Sequence, residues 1–281
     1  MPMIHSLTAG PNERRAVVET LPWASAPLGR SVSTAHHFPR WLSTSKTQME
    51  AEPVMKAPKA TLAQQCESIG WTITDLSALK HDKRSWSIDG GPTGLPEEIV
   101  GQTYAAAGAR VSYCEGGSAL LLLKAAALET LAKYNSFNDR TDAVVRFLEA
   151  QMTIQAEHTA EIVEAVRTIT PDALARNVAE LADNAHLRNY FPRVRPEFML
   201  DLYQRIGNDK LAHLMEAFSV APYDYRAGWP DLMVLTDDEI KFVEVKTNDR
   251  LLDTQIRFST GIGKPMGFDC EVVRLTAIKS K

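Results

Sequence analysis

An α/β fold, a mixed β-sheet flanked by helices, is what three features of the sequence predict. Two short runs, Leu232-Met233-Val234-Leu235 and Lys241-Phe242-Val243-Glu244-Val245-Lys246, flank the turn signal Asp237-Asp238 and read as a hairpin. Upstream, several segments repeat apolar residues with a helical period and open on proline or acidic residues, as helices do. The chain has 281 residues, 44% of them hydrophobic, which suffices to bury a sizeable core in one large domain or two small ones.

Residues 1–59 are rich in Pro, Ser, Thr and Ala, and Pro11, Pro22, Pro27, Pro39, Pro53 and Pro58 break every possible helix, so a disordered or loosely packed arm is predicted there. Its acid-free stretch from Leu21 to Met49, with Arg30, Arg40 and Lys46, faintly resembles an organelle transit peptide; Glu13, Glu19 and the prolines argue against that. Residues 60–94 read as a small segment without a legible role: a helix, a short strand pair at Trp71 to Ile73 and Ser85 to Ile88, and a turn at Asp89-Gly90-Gly91.

A larger unit spans 95–281. Leu95-Pro96-Glu97-Glu98 starts a helix, with proline in the first turn and acids at the positive end of the dipole, and Gly108 stops it. A strand over Ala109 to Cys114 leads to an apolar helix over Ser118 to Leu131, which Ser118 can cap. Asp142 to about Thr168 reads as one long amphipathic helix carrying Glu157, Glu161 and Glu164. Pro171-Asp172 starts another, and shorter helices follow at Pro196 to Arg205 and Asp209 to Phe218. These helices form an insertion at about 137–222, between the glycine-rich Glu115 block and the hairpin.

The hairpin carries charge where strands look buried. By the two-residue period Phe242, Glu244 and Lys246 share one face, while Val243 and Val245 share the other. Asp231, directly after Pro230, opens the first strand, and antiparallel pairing is expected to bring it toward the Thr247 end of the second. Lys and Glu are rarely buried unless paired or bound, so three converging charges call for an ion-pair account or a metal account. An exposed hairpin with solvated charges is the alternative.

Gly228, Pro230-Asp231, Glu244-Val245-Lys246, Asp249-Arg250-Leu251 and Gln255 together resemble the signature of the VRR-NUC nucleases of the PD-(D/E)XK superfamily. Ala109 to Gly117, with Glu115 beside Gly116-Gly117 and an apolar helix after it, resembles the corresponding block of the Fanconi-associated nuclease type. Trp229 stands where a smaller aliphatic is more usual, Thr247 where a glycine is common, and no zinc-finger, SAP or long helical-repeat region is legible. The resemblance implies a restriction-endonuclease-like core and a DNA nuclease using Mg²⁺ or Mn²⁺. It assigns Asp231, Glu244, Lys246, Glu115 and Gln255 to catalysis.

The chemistry agrees. Phosphodiester hydrolysis needs an activated water, neutralisation of phosphoryl charge and help for the leaving oxygen. Hard oxygen donors suit Mg²⁺ and Mn²⁺, so Asp231, Glu244 and the Val245 carbonyl make a partial metal shell, which Glu115 would complete. Lys246 is placed to orient the water or steady the phosphate, and Gln255 to hold water or phosphate.

The net charge of −4 argues against a protein that coats DNA, and the acid-rich stretch from Pro96 to Asp183 directs any DNA groove to the carboxy-terminal part. Arg250, Arg226 and Arg257 are the expected DNA contacts, with Arg188, Arg193 and Arg195 as further candidates. Cys66, Cys114 and Cys270 are widely spaced and suggest reduced thiols in an intracellular protein, and no apolar run reaches membrane-spanning length. The leading role is repair or processing of structured DNA ends. A DNA-degrading toxin or defence effector nuclease and a catalytically silent DNA-binding protein on the same fold are the alternatives; protein partners and cleavage polarity are not legible.

Overall fold

The computed structural model describes residues 60–278 except Asp89, Cys114, Asn138 and Asp238, so the arm expected over 1–59 lies outside the described residues. In chain order the elements are α1 (Leu62–Ile69), β1 (Thr72–Lys80), β2 (Trp86–Ser87), α2 (Pro96–Ala106), β3 (Arg110–Ser112), α3 (Gly117–Lys133), α4 (Arg140–Val145) and α5 (Leu148–Ile154). A 3-10 turn (Ala156–His158) leads to α6 (Thr159–Thr168), α7 (Pro171–Asp183), α8 (Ala185–Tyr190), α9 (Pro196–Ser219) and α10 (Pro222–Tyr225). Then come β4 (Leu232–Leu235), β5 (Ile240–Lys246), α11 (Asp253–Phe258), a π-helical turn (Ser259–Gly263) and β6 (Asp269–Ile278).

The described strands form one mixed sheet in the order β2-β1-β6-β5-β4-β3. β6 is central and runs parallel to both neighbours, β1 and β5, whereas the β5-β4 and β4-β3 pairings are antiparallel. A strand covered on both faces needs apolar side chains in both directions. In β6, Val272 points to one core, while Val273 and Leu275 point to the other. On one face α2 lays Ile99 and Val100 over Leu232, Val234, Val243, Val273 and Leu275. On the other, Met233, Leu235, Phe242 and Val272 meet a helical layer built on α3, α6 and α9. α3 is largely apolar and enclosed from Gly117 to Leu128, with Leu122, Leu123, Leu128 and Leu131 fully buried.

Four expectations change. The strand expected at Trp71 to Ile73 is β1, nine residues long. It runs parallel to β6 from Thr72 opposite Glu271 to Leu79 opposite Ile278, which seats residues 60–94 in the same sheet as the hairpin. The strand before Glu115 is confined to Arg110–Ser112. The single helix expected over Asp142 to Thr168 is broken into α4, α5, the 3-10 turn and α6, so Glu157 sits outside α6 while Glu161 and Glu164 lie on it. The break is held open by one side chain from α3 and one from α5. Arg146 is extended (φ −68°, ψ 130°), and carbonyls at the break receive Lys124 Nζ (Arg146 O at 2.8 Å, and Val144 O) and Gln151 Nε2 (Ala143 O at 2.7 Å, Arg146 O at 2.6 Å). Buried carbonyls satisfied in this way make a helix end inexpensive.

Fourth, α3 begins at Gly117 with Gly116 as its N-cap, so Ser118 is not the cap; it lies inside the helix, with its hydroxyl 2.9 Å from that of Ser112. The two helices expected at Pro196 to Arg205 and Asp209 to Phe218 are the halves of α9, joined across a kink at Gly207 (φ 67°, ψ 169°). Among the described residues no helix is long and apolar enough to cross a membrane.

Candidate active site

The site lies where the hairpin, α3 and α11 come together. The β4-β5 register sets Leu232 opposite Val243 and Leu235 opposite Ile240. Asp231 therefore comes opposite Glu244, not at the Thr247 end as the sequence suggested, because the connection closes over 236–239. There Asp231 Oδ2 accepts the Val245 N–H at 2.8 Å. Glu244 and Lys246 project from the same face of β5 as Phe242, toward the helical layer, as the two-residue period requires.

Glu244 is the centre of a buried polar cluster. Its Oε1 receives Lys246 Nζ at 2.8 Å and Gln255 Nε2 at 2.6 Å. Gln255 is itself fixed, since its Oε1 accepts the Leu252 N–H at 2.9 Å in the first turn of α11. Lys246 Nζ also reaches Asp249 Oδ2 at 3.3 Å. Glu244 is 1% exposed and Lys246 4%, yet Glu244 Oε2 has no hydrogen-bond partner. An orphaned carboxylate oxygen in a buried place is costly and marks a position where something else belongs.

Electrostatics agree with the geometry. Burial pushes the Glu244 carboxyl up to about 8, and the Asp231 charge adds to this, against Lys246 and Gln255. Burial likewise pushes Asp231 up to about 6, opposed by the Val245 N–H and Lys246 and reinforced by the charges of Glu115 and Glu97. Burial works against the Lys246 ammonium, but Glu244 and Asp249 more than offset it and hold its pKa above the ordinary lysine value. Two carboxyl groups thus crowd one ammonium, and burial with their mutual repulsion disfavours their ionised forms, which a bound cation would stabilise.

Glu115 stands apart from the buried pair. It is exposed, it sits in the left-handed region at φ 45°, and its charge is felt by Asp231. Among the described residues no three His, Cys, Asp or Glu side chains are gathered closely enough to cage a metal by themselves. A hard divalent cation does not need such a cage, because Mg²⁺ keeps several waters and uses one or two carboxylates. Asp231 and Glu244, with the orphaned Oε2 and main-chain oxygen beside it, are donors of the right kind.

The fold can now be set beside known proteins. No protein-family model matches the sequence, and no curated protein matches it. Solved structures do: paFAN1 bound to 5′-flap DNA with a 2-nucleotide flap and a gap aligns with a TM-score of 0.52 and 18% identity over 75% of this chain. The same protein with a 1-nucleotide flap aligns at 0.51 and 17% over 75%. The likeness is one of fold: over the aligned part, the mixed sheet and its flanking helices are arranged as in paFAN1. The chain spans 38% of the length of the paFAN1 chains it matches.

The arginines are distributed around this core in different states. Arg250 follows β5 and is exposed. Arg226 stacks over the Tyr223 ring and lies 3.9 Å from Glu149, and Arg257 pairs with Asp224 at 3.2 Å. Arg193 pairs with Glu98 at 3.0 Å. Sequence reasoning did not single out Asp249 as a partner of Lys246, nor Glu97, whose charge reaches Asp231 from the first turn of α2. The signature residues adjacent to Lys246 were a signal for the first; the second had none beyond its place at a helix start.

Proposed function

We propose that this chain is a metal-dependent DNA nuclease that hydrolyses phosphodiester bonds in structured DNA, in repair or end processing. The observation that carries the reading is the Asp231–Glu244–Lys246 group, with Glu244 and Lys246 buried and one Glu244 oxygen orphaned, on a fold like that of a nuclease crystallised on flap DNA. Asp231, Glu244 and the Val245 carbonyl would hold Mg²⁺ or Mn²⁺, with Glu115 at the open side. When bound, the ion supplies a water of lowered pKa and charge neutralisation at the phosphate. The chain supplies the rest. Glu244 Oε1 fixes the Lys246 ammonium and the Gln255 amide, so Lys246 meets the developing phosphoryl charge from a preset position, without reorganisation. Arg250 contacts a backbone phosphate beside the site, and Arg226 and Arg257 do so by exchanging Glu149 and Asp224 for phosphate.

The test is purified protein with Mg²⁺ or Mn²⁺ on labelled single-stranded, duplex, nicked and 5′-flap DNA. Cleavage that is abolished by EDTA and strongest on the flap or nicked substrate is expected. DNA binding without cleavage under every metal condition would replace this reading with the silent DNA-binding one.

A further inference from the structure

We propose that Trp229 is the positioning residue of this site, a single side chain that fixes the turn carrying Glu115 relative to Asp231 and to the β5–α11 pair bearing Glu244 and Gln255. The inference rests on the hydrolytic reading above and adds a residue which that reading does not use.

Trp229 is 3% exposed, and its Nε1–H donates to the Tyr225 carbonyl at 2.7 Å, which sets the plane of the ring. Its indole lies directly on Gly116: a Cβ there would come within 2.2 Å of the Trp229 Cγ, and Gly116 has φ 81°. Only glycine meets both conditions. The preceding residue, Glu115, is a non-glycine residue at φ 45°, a strained conformation that persists only where the surroundings impose it. The ring pressed on Gly116 is such an imposition.

The same indole reaches the other half of the site. Its ring centroid is 5.9 Å from that of Phe242 and 4.7 Å from that of Phe258, both tilted. Phe242 precedes Glu244 by one pleat on the same face of β5, and Phe258 lies three residues beyond Gln255, on one face of α11. Gly228, next in the chain, packs so closely on the Thr254 carbonyl of α11 that no Cβ fits there. Trp229 precedes Asp231 by two residues, through Pro230. A smaller aliphatic side chain would leave the Gly116 face uncovered and release the Glu115 turn. The pairing of a large ring with a bare glycine across the site therefore sets the spacing between the exposed carboxylate and the buried ones.

The full chain and its Trp229→Phe and Trp229→Met variants are stripped of metal and titrated with Mn²⁺. The rise in melting temperature and the cleavage rate are both read, and DNA binding is measured separately in Ca²⁺. Loss of a residue that orients metal ligands weakens metal affinity roughly 10–100-fold, so Trp229→Met should raise the Mn²⁺ midpoint of both readouts about tenfold or more. Trp229→Phe keeps a ring on Gly116 and should raise it about threefold, with DNA affinity unchanged in both variants. A folded variant of either kind that melts earlier yet keeps the wild-type Mn²⁺ midpoint shows a merely structural ring and overturns the proposal. No Mn²⁺ response in the wild type removes the hydrolytic reading, and this inference with it.

Discussion

Neutralising Asp231 should stabilise the metal-free protein while destroying its response to metal. The Asp231 carboxyl is pushed up from 3.8 to about 6, and Glu244 from 4.5 to about 8, each chiefly by burial. A carboxyl with a raised pKa in the fold keeps a proton that the unfolded chain has already lost. Stability therefore falls as pH rises from the unfolded pKa to the folded one, and the loss is complete above the folded value. For Asp231 the window runs from 3.8 to about 6, and for Glu244 from 4.5 to about 8. Two pH units at about 1.4 kcal/mol each set an upper bound of roughly 3 kcal/mol for Asp231. Asp231 is half-buried and partly solvated, which brings the expectation down to about 1–2 kcal/mol. In Asp231→Asn the amide oxygen can still accept the Val245 N–H, so no hydrogen bond need be lost. Thermal melts in EDTA at pH 8 should place Asp231→Asn above wild type, by about 2–4 °C for each kcal/mol in a chain of this size. The gap should close by about pH 4, where the wild-type carboxyl is protonated as well. A variant less stable than wild type at pH 8, or a gap that persists unchanged to pH 4, would refute the assignment of Asp231 as a carboxylate held against its own desolvation.

Lys246→Met keeps the volume and removes the charge; it should lower cleavage by about 10²-fold or more, with little loss of stability below pH 8 because Glu244 can take up a proton. Wild-type turnover in a single-turnover assay would end its role in the chemical step. Arg250→Ala should weaken DNA binding and reduce the slope of log affinity against log salt by about one, as loss of one phosphate contact does; an unchanged slope returns Arg250 to ordinary surface. Glu115→Gln, at an exposed position that repels Asp231, should leave the metal-free melt unchanged or slightly raised and should raise the Mn²⁺ midpoint. Normal metal affinity with full cleavage would make Glu115 a helix-end charge only.

The hairpin was legible because its determinants are local: strand runs, a turn signal, and a two-residue period that puts Glu244 and Lys246 on one face. The exact partner of Asp231 was not, since one or two residues of loop length move a strand end by a pleat or more. The contact of Gln255 with Glu244 could be anticipated only from the likeness to a signature, because it is made across a loop into a different helix. Non-local features escaped altogether. Apolar periodicity runs on from Asp142 to Thr168, and nothing within that segment announces that Lys124, reaching in from α3, satisfies carbonyls where the helix breaks. The parallel seat of β1 against β6 joins segments nearly two hundred residues apart, and only β6's two-sided apolar pattern hints that it needs neighbours on both edges.

The two buried lysines among the described residues show why charge at the hairpin reads as function. Lys124 is 1% exposed and donates to backbone carbonyls; burial pushes its pKa down to about 7, so its hydrogen bonds persist whether it is charged or neutral. It ties a helix break to α3 and needs no ligand. Lys246 is almost as buried, but its partners are carboxylates, and they raise its pKa above the ordinary value. It is a permanent cation at neutral pH, held beside a carboxylate that keeps one oxygen unsatisfied. Replacing such a group by well-packed apolar residues often gains stability, so a buried ion pair by itself is poor evidence that the fold requires it. Lys124 shows that this protein can bury a lysine against neutral acceptors. Placing Lys246 instead against Glu244, with Asp231 alongside and burial working against both ionised carboxyls, leaves an acidic pocket with a fixed ammonium at its wall, ready to ionise fully around a cation. A phosphodiester brought there by a divalent cation would meet both the countercharge the carboxylates lack and the cation its own transition state needs.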